Sequence, residues 1–569
     1  MLVIFEGIDG SGKTTLSNRA AAALRAMGLS VAHVRSGGRL ASDVAEGIRE
    51  FTRDQRHLEL TPYTEFLLYA AREAQQLDEA IRPALSQCDV VIADRFLYTA
   101  EVLARYGRGL SAARVDPVLA AAAHGCTPDL VILVTVDPHV ALARRRAEKI
   151  LKPSARAGSR KGLSGAGLNQ RLHEGYLELA RRDPTRWLVI HNTDASLDAV
   201  ADSVVAAIRV ARDGGAPAAR QVVAVQRLHH HPAHDLGHAL DPEGAREHFL
   251  TWIDRQSARE PNLAAYMLSG LSGPGFDERR LALATTSPEL VAYGLAGLDD
   301  EVSWWLREQL AERAPRWVAR SLADVDQTRP AAWAMREALL QCAPADVAAS
   351  LDGLYDEAAW SLRQRLWPLA ADAVMQSLVG DDSARAWSLR ERWLELAGGE
   401  AGLALPERAR VVCASVCGLG EERAWHLREL ARAAAPVAAV ASLEGITDEL
   451  SWRWRERYLH AAPRPVMRSI VGVDHPQAWM LREEVAQRCK ETLDSIVGMD
   501  QLLAWSLRER CADLWPSTVA KSLGDLGRGL RGLRMVADLL RDHPGNLSLL
   551  KHAAALAGDT QTRRAAATA

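Results

Sequence analysis

The stretch Gly7-Ile8-Asp9-Gly10-Ser11-Gly12-Lys13-Thr14 decides how the first part of this 569-residue chain folds. It fits the pattern G-x-x-x-x-G-K-[ST] in full, follows the apolar run 2–5 and precedes the helix-like run 15–24. A strand, a glycine-rich loop and a helix in this order turn successive backbone N–H groups toward an anion, and the helix N-terminus adds a favourable field. The sequence therefore predicts a site for the phosphates of a nucleotide.

The residue types of this loop indicate separate tasks. The glycines allow a backbone path that a Cβ atom would obstruct. Lys13 is expected to reach the β- and γ-phosphates of ATP, and the Thr14 hydroxyl is expected to bind Mg²⁺. The residues that we predict to hold the nucleotide here are Gly7, Asp9, Gly10, Ser11, Gly12, Lys13, Thr14 and Thr15.

Strand-like and helix-like runs alternate up to about residue 210, which indicates a parallel sheet covered by helices on both faces. The further strand-like runs are 29–34, 89–93, 130–136 and 187–190. Ligands bind at the carboxyl ends of the strands in such sheets, and Arg35, Asp94 and Arg95 each follow a strand. We therefore expect Asp94 to help hold Mg²⁺ and the two arginines to bind the substrate, with Lys13, Asp94 and Arg95 in the catalytic set.

Residues 1–210 resemble the thymidylate kinase family of P-loop nucleoside monophosphate kinases. The matching segments are 5–15, 94–96, 107–109, 137–142, 175–179 and 192–195. The resemblance implies nucleotide biosynthesis by transfer of the ATP γ-phosphoryl group to a nucleoside monophosphate, with Mg²⁺ as cofactor. It also implies that Asp9 approaches the acceptor's sugar hydroxyl, and that Asp94 and Arg95 serve the metal region and the acceptor phosphate.

A cationic segment rich in glycine and serine lies between Arg144 and Arg171. It predicts a loop that closes over a transferring phosphoryl group, although a solvated basic loop is the alternative. The family resemblance implies that such a loop carries catalytic cations when the phosphate loop has no arginine. We assign Arg156 and Arg160 to catalysis and Arg144 to the nucleotide.

The acceptor-base pocket departs from the family pattern. An ungapped alignment places Glu73 where the family has its base-contacting arginine, with Arg72 one residue earlier. Beyond Thr99, alanines stand at positions 100 and 104 where the family has polar residues. We expect Arg72 and Thr99 to bind the acceptor. The acceptor is dTMP in the first instance, with another pyrimidine monophosphate or a weak kinase activity as the alternatives.

Composition restricts the classes of partner. A formal net charge of −3 gives no reason to expect nucleic acid binding, and no run of 18 apolar residues predicts a membrane span. The 7 cysteines are scattered without disulfide or zinc spacing, which fits a reducing compartment. We expect a cytoplasmic protein without nucleic acid or membrane partners.

The remaining sequence is predicted to contain a linker over 211–247, a helical repeat domain over 248–556 and a disordered tail over 557–569. Five histidines between positions 229 and 238 could bind a metal, but a solvated linker is the simpler interpretation. The sequence therefore predicts a kinase-like domain over 1–210 that is joined to a separate scaffold domain.

The repeat is recognised by the phrase Ala/Ser-Trp-x-apolar-Arg, with spacings of about 27 residues. Its tryptophans are at 304, 333, 360, 387, 425, 452, 479 and 505, and serines follow at 321, 350, 377, 415, 442, 469, 495 and 522. Two helices this short cannot bury their apolar faces alone, so the units must stack into an α-solenoid. It resembles HEAT-like arrays in general pattern, with a shorter period. We expect each tryptophan to pack in the core, and each arginine to pair with an acidic residue or to line a groove.

Two hypotheses for the function follow. The first is an ATP-dependent nucleoside monophosphate kinase, converting dTMP to dTDP, fused to a helical-repeat scaffold. The second is a nucleotide-binding switch whose kinase-like domain regulates a protein-binding solenoid. A protein partner on the repeat array and a homodimer are the remaining partners that the sequence leaves open.

Overall fold

The computed structural model describes residues 1–34, 42–54, 57, 60–151, 167–192, 197–214, 242–396, 405–543 and 545–556. The chain divides into two compact units, one formed mainly by residues before 215 and one mainly by residues after 241. The histidine cluster, most of the predicted linker and all of the predicted tail lie outside the described residues, so the domain boundaries stay predictions. No described helix is long and apolar enough to cross a lipid bilayer.

The first unit is built on a parallel sheet of five strands in the order β2-β3-β1-β4-β5. The strands are β1 Leu2–Glu6, β2 Val31–His33, β3 Val90–Asp94, β4 Leu130–Thr135 and β5 Trp187–His191. Every residue of β1, β3 and β4 is buried, as expected for strands with helices on both faces. The predicted strand runs and the α/β class are confirmed.

The helices of this unit follow the strands and cover the sheet. They are α1 Lys13–Ala26, α2 Asp43–Arg53, α3 Pro62–Gln76, α4 Arg82–Leu85, α5 Leu97–Val102, α6 Ala112–Ala123, α7 Pro138–Leu151, α8 Gly167–Arg182 and α9 Leu197–Arg212. Two π-helical turns, Leu77–Ile81 and Leu103–Gly107, extend α3 and α5. Leu16 and Leu24 of α1 pack with Val204 and Ile208 of α9 in the core on one face of the sheet. This packing fixes α1, and therefore the loop before it, against β1.

The second unit is an all-α solenoid of helical pairs that repeat about every 27 residues. The helices that carry the repeated tryptophans, called Trp helices here, are Glu301–Leu310, Pro330–Leu339, Glu357–Gln376, Ala384–Leu396, Glu422–Arg432, Glu449–Tyr458, Pro476–Val485 and Leu502–Arg510. The connecting helices that follow Trp helices are Pro315–Arg320, Pro344–Ala349, Leu405–Ser415, Pro436–Ala441, Pro463–Ser469, Glu491–Asp494 and Pro516–Ser522. Flanking helices are Pro242–Arg259, Pro261–Met267, Phe276–Leu283, Pro288–Tyr293 and Leu530–Asp542. One connecting helix is fused to its Trp helix across a kink at Ala370, two residues after Pro368.

The tryptophans pack in the core, as predicted. Trp452 is 2% exposed and Trp505 is 3% exposed, and most of their counterparts are similarly buried. Five of the indole nitrogens donate to an acceptor just before their own Trp helix, as Trp505 Nε1 does to Asp500 Oδ1, 2.7 Å away. A buried ring whose N–H has an acceptor stabilises the contact between neighbouring helices and leaves no buried polar atom without a hydrogen bond.

The predicted role of the repeated arginine is wrong, because it neither pairs with an acidic residue nor lines a groove. Arg455 is fully buried, and its Nε donates to Ser469 Oγ at 2.9 Å. Its Nη2 donates to the carbonyl oxygens of Leu443, 2.7 Å away, and Ser469, 3.1 Å away. Leu443 belongs to the preceding repeat, so the guanidinium joins two consecutive repeats. Burial lowers the pKa of Arg455 to about 10.

The same arrangement recurs along the array. Other Nε-to-Ser Oγ pairs are Arg307–Ser321, Arg336–Ser350, Arg363–Ser377, Arg428–Ser442, Arg482–Ser495 and Arg508–Ser522. Each of these guanidinium groups also lies 4.5–5.3 Å from the ring of the tryptophan three residues before it. The arginine, serine and tryptophan of the repeat phrase are therefore parts of one buried contact.

Lys551 connects the last helical residues of the array with its first helices. Its Nζ donates to the Ser269 carbonyl oxygen at 2.9 Å, and burial, helped by the charge of Arg280, lowers its pKa from 10.5 to about 8. The unfolded chain binds more protons than the folded chain between these pKa values, so stability should rise as the pH increases from 8 to 10.5. The rise is about 3.4 kcal/mol, at 1.36 kcal/mol per pKa unit.

We expect Lys551→Met to remove this rise. Urea unfolding at several pH values measures it, with Lys521→Met as a control because Lys521 is exposed and paired with Asp494. Parallel pH profiles for the wild type and Lys551→Met would contradict the assignment.

Candidate active site

The loop between β1 and α1 has a backbone that only glycine can follow at several positions, among them Gly10 and Gly12. Gly10 and Gly12 have φ angles of 91° and 92°, in the left-handed region. A Cβ at Gly10 would lie 2.3 Å from the Ala141 carbonyl oxygen, and one at Gly12 would lie 2.3 Å from Asn192 Nδ2. The loop is therefore held tightly between α7 and the end of β5, while Gly12 caps α1.

The lysine of the loop is buried and lies over the loop's own backbone. Lys13 is 7% exposed, and its Nζ donates to the Ile8 carbonyl oxygen at 3.3 Å. The same ammonium is 3.7 Å from Asp9 Oδ1. Ser11 is buried beside it with an Oγ that has no hydrogen-bond partner among the described residues, whereas Thr15 is exposed on α1.

Two oxygen groups that suit a hard cation meet at the carboxyl end of β3. The Thr14 hydroxyl donates to Asp94 Oδ2, and Asp94 Oδ1 is buried without a hydrogen-bond partner among the described residues. The described residues hold no cluster of three or more His, Cys, Asp or Glu side chains suited to a metal. One carboxylate and one hydroxyl are nevertheless what Mg²⁺ takes from a protein when phosphates and waters supply its other ligands. The residues present thus fit this ion.

Arg95 joins the phosphate loop to the other side of the site. Its φ of 81° is unusual for a residue with a side chain, and its amide donates to the Phe5 carbonyl oxygen at 2.9 Å. The guanidinium donates to the Asp9 carboxylate, to Thr99 Oγ1 at 3.1 Å and to Tyr176 Oη at 3.2 Å. Burial alone would lower the pKa of Arg95, but Asp9 and the other acidic neighbours outweigh it and raise the pKa above its ordinary value. The side chain is a permanent cation.

Two residues of this network had no assigned role in the sequence analysis. Glu6 is fully buried and accepts hydrogen bonds from the Phe96 amide at 2.9 Å, Thr99 Oγ1 at 2.7 Å and Tyr176 Oη at 3.0 Å. Burial raises the pKa of Glu6 and, more strongly, that of Tyr176. A charged residue directly after four apolar strand residues is the signal that could have revealed Glu6.

The nucleotide-side residues are also connected. Asn192, which had no assigned role either, donates from Nδ2 to the Ser11 carbonyl oxygen at 2.8 Å. Its own carbonyl oxygen accepts from Arg144 Nη2 at 3.0 Å. Arg144 is therefore held near the phosphate loop through one intermediate residue.

The predicted acceptor residues are only partly brought together. Thr99 lies in the network of Arg95, but Arg72 is buried against its neighbour Glu73, with Arg72 Nε 2.9 Å from Glu73 Oε1. The Arg72 guanidinium also lies 4.4 Å from the Tyr69 ring. The predicted site residues Arg35, Arg156 and Arg160 lie outside the described residues.

The sheet order, the glycine loop and the Thr14–Asp94 pair together define a P-loop kinase domain. The thymidylate kinase family model matches residues 5–204. A thymidylate kinase of Solidesulfovibrio magneticus is 36% identical over 36% of this chain and 96% of its own length, and that of Geobacter sulfurreducens is 37% identical over 35% and 94%. A solved thymidylate kinase from Ehrlichia chaffeensis covers 37% of this chain and 98% of its own, with 24% identity and a TM-score of 0.29.

The chain belongs to the thymidylate kinase family. Its membership rests on the first unit alone, because these relatives align with little more than a third of the chain.

Proposed function

We propose that this chain transfers the γ-phosphoryl group of ATP to a nucleoside monophosphate, with dTMP as the acceptor and dTDP as the product. The observation that carries the proposal is the continuous network from Lys13 through Asp9 to Arg95, beside the Thr14–Asp94 pair. Both cations contact the Asp9 carboxylate, and this supports a role for them in binding phosphate groups. The proposal is also supported by the match of the first unit to the thymidylate kinase family.

Each side chain of the network has a role in this proposal. The backbone N–H groups of the loop and Lys13 bind the ATP phosphates and stabilise the charge that develops on the transferring group. Asp9 orients the acceptor's sugar, and Arg95 binds the acceptor phosphate with its planar fork. Mg²⁺, held by Thr14 and Asp94, would neutralise charge on the β- and γ-phosphates. A general base is unnecessary because the acceptor phosphate is already ionised.

Further side chains complete the proposed site. Glu6 holds Thr99 and Tyr176, which in turn fix the guanidinium of Arg95. We propose that Arg72 and Thr99 bind the acceptor and that Arg144 binds ATP. Arg35 for the substrate and Arg156 with Arg160 for catalysis remain proposals from the sequence.

The second unit is proposed to act as a HEAT-like scaffold for a protein partner, in a cytoplasmic protein that could also form a homodimer. The competing function is a nucleotide-dependent switch, which would use the same phosphate site without an acceptor. Its motivation is the solenoid itself, more than half of the chain, to which the thymidylate kinase relatives do not align.

The two functions are distinguished by steady-state ADP release. The full chain is given ATP and Mg²⁺ with dTMP, dUMP, UMP or CMP as the acceptor. We expect kcat/KM to be highest with dTMP and the rate without an acceptor to be negligible. A slow rate that does not depend on the acceptor would favour the switch.

A further inference from the structure

His33, the last residue of β2, places a ring nitrogen in the interior of the first unit. Its Nε2 is inaccessible to solvent and forms no hydrogen bond with any residue that the structure describes. A buried polar nitrogen without a partner costs free energy, so a water or another bound group is expected beside it. Asp94 Oδ1, on the neighbouring strand β3, is a second buried polar atom without a partner among the described residues.

The strand register places His33 and Asp94 on the same face of the sheet. In the parallel pair of β2 and β3, His33 lies opposite Ile92, and the Val34 amide donates to the Ile92 carbonyl oxygen at 2.9 Å. Opposite residues of a parallel pair point to the same side, and so do residues two apart on one strand. His33, Ile92 and Asp94 therefore share a face, and Ile92 packs in the core beside α1, the helix that carries Thr14.

The spacing of these positions suits a contact through one water molecule. With about 4.8 Å between strands and about 3.3 Å per residue, the Cα atoms of His33 and Asp94 lie about 8 Å apart. Two side chains that extend to the same side from such positions can be joined by a bridging water. Burial lowers the pKa of His33, although the charge of Asp94 opposes the shift. The imidazole is therefore neutral near pH 7, with one ring nitrogen as a hydrogen-bond donor.

We propose that His33 is a positioning residue for Mg²⁺, whose Nε2–H donates through one water molecule to Asp94 Oδ1 and orients this carboxylate toward the ion. The inference rests on the proposed function, in which Thr14 and Asp94 hold Mg²⁺. A group that hydrogen-bonds to a metal ligand holds the ligand in its binding orientation, and its replacement typically lowers metal affinity about 10- to 100-fold.

The test is binding of Mn²⁺, an oxygen-ligated substitute for Mg²⁺ that electron paramagnetic resonance detects, to the full chain saturated with ADP. We expect His33→Phe, which keeps an aromatic ring but has no N–H donor, to raise the Kd for Mn²⁺ about 10- to 100-fold. The Kd for ADP without metal should stay unchanged. His33→Gln, which keeps an N–H donor, should restore part of the Mn²⁺ affinity. His460→Phe is the matched control, because His460 belongs to the second unit and its side chain is 63% exposed.

A double-mutant cycle tests whether His33 acts through Asp94. If it does, adding His33→Phe to Asp94→Asn should cause no further loss of Mn²⁺ affinity. Three results would overturn the inference: an equal Mn²⁺ affinity in His33→Phe and His460→Phe, an equal loss for metal-free ADP, or a full further loss in the Asp94→Asn background.

The wild type separates this inference from the proposed function. A wild type that binds ADP and Mn²⁺ but transfers no phosphoryl group would refute the proposed function and leave the role of His33 to be decided by the variants. A wild type that binds ADP but no Mn²⁺ would refute both.

Discussion

Replacing Lys13 with alanine is expected to lower kcat for phosphoryl transfer by about 10²–10³-fold, the cost of removing one preorganised charge-stabilising group. The ammonium is buried within the phosphate loop, and no other described side chain lies there to take its place. Because it acts on the charge of the transferring group, the loss should fall on kcat more than on the KM for the acceptor.

The measurement is ADP release at saturating ATP and dTMP. Lys521→Ala, which removes an exposed lysine from the second unit, is the control and should keep the wild-type rate. If Lys13→Ala keeps more than half of the wild-type kcat, the loop does not perform the proposed chemistry.

Replacing Arg455 with methionine is expected to lower the free energy of unfolding of the second unit by about 3–5 kcal/mol. Methionine fills much of the same volume but donates no hydrogen bond. The carbonyl oxygens of Leu443 and Ser469 would then be left buried without their guanidinium donor. The loss should therefore exceed that of an ordinary surface substitution several-fold.

Tryptophan fluorescence during urea unfolding measures this change, because Trp187 is the sole tryptophan before the second unit. Arg453→Met is the matched control, since the side chain of Arg453 is 65% exposed and pairs only loosely with Glu449. Superimposable unfolding curves for the two variants would show that the buried guanidinium does not hold the repeats together.

The sequence was sufficient to predict the sheet and the phosphate loop because both have local signatures. Apolar runs of strand length located all five strands, and the spacing of Gly7, Gly12 and Lys13 located the loop. The meeting of Thr14 with Asp94 could also be expected, since Thr14 comes soon after β1 and Asp94 ends the adjacent parallel strand β3.

Contacts between distant residues had no such signature. Tyr176 reaches Glu6 across 170 positions, and Asn192 reaches Ser11 across 181. The repeated arginine was found by its spacing, but its main partners are backbone carbonyl oxygens, which every residue carries. Only the stacking of consecutive repeats shows which of these oxygens a buried guanidinium can reach, and this is why the predicted acidic partner was wrong.

We propose that the first unit transfers a phosphoryl group to a nucleotide acceptor. The test is to incubate the full chain with Mg²⁺, dTMP and ATP that carries ³²P at its γ-phosphate. The products are then separated, and the label is located. We expect the label to appear in dTDP, and we expect Lys13→Ala to slow its appearance by about 10²–10³-fold. Label released only as inorganic phosphate, or retained in ATP, would refute phosphoryl transfer to the acceptor.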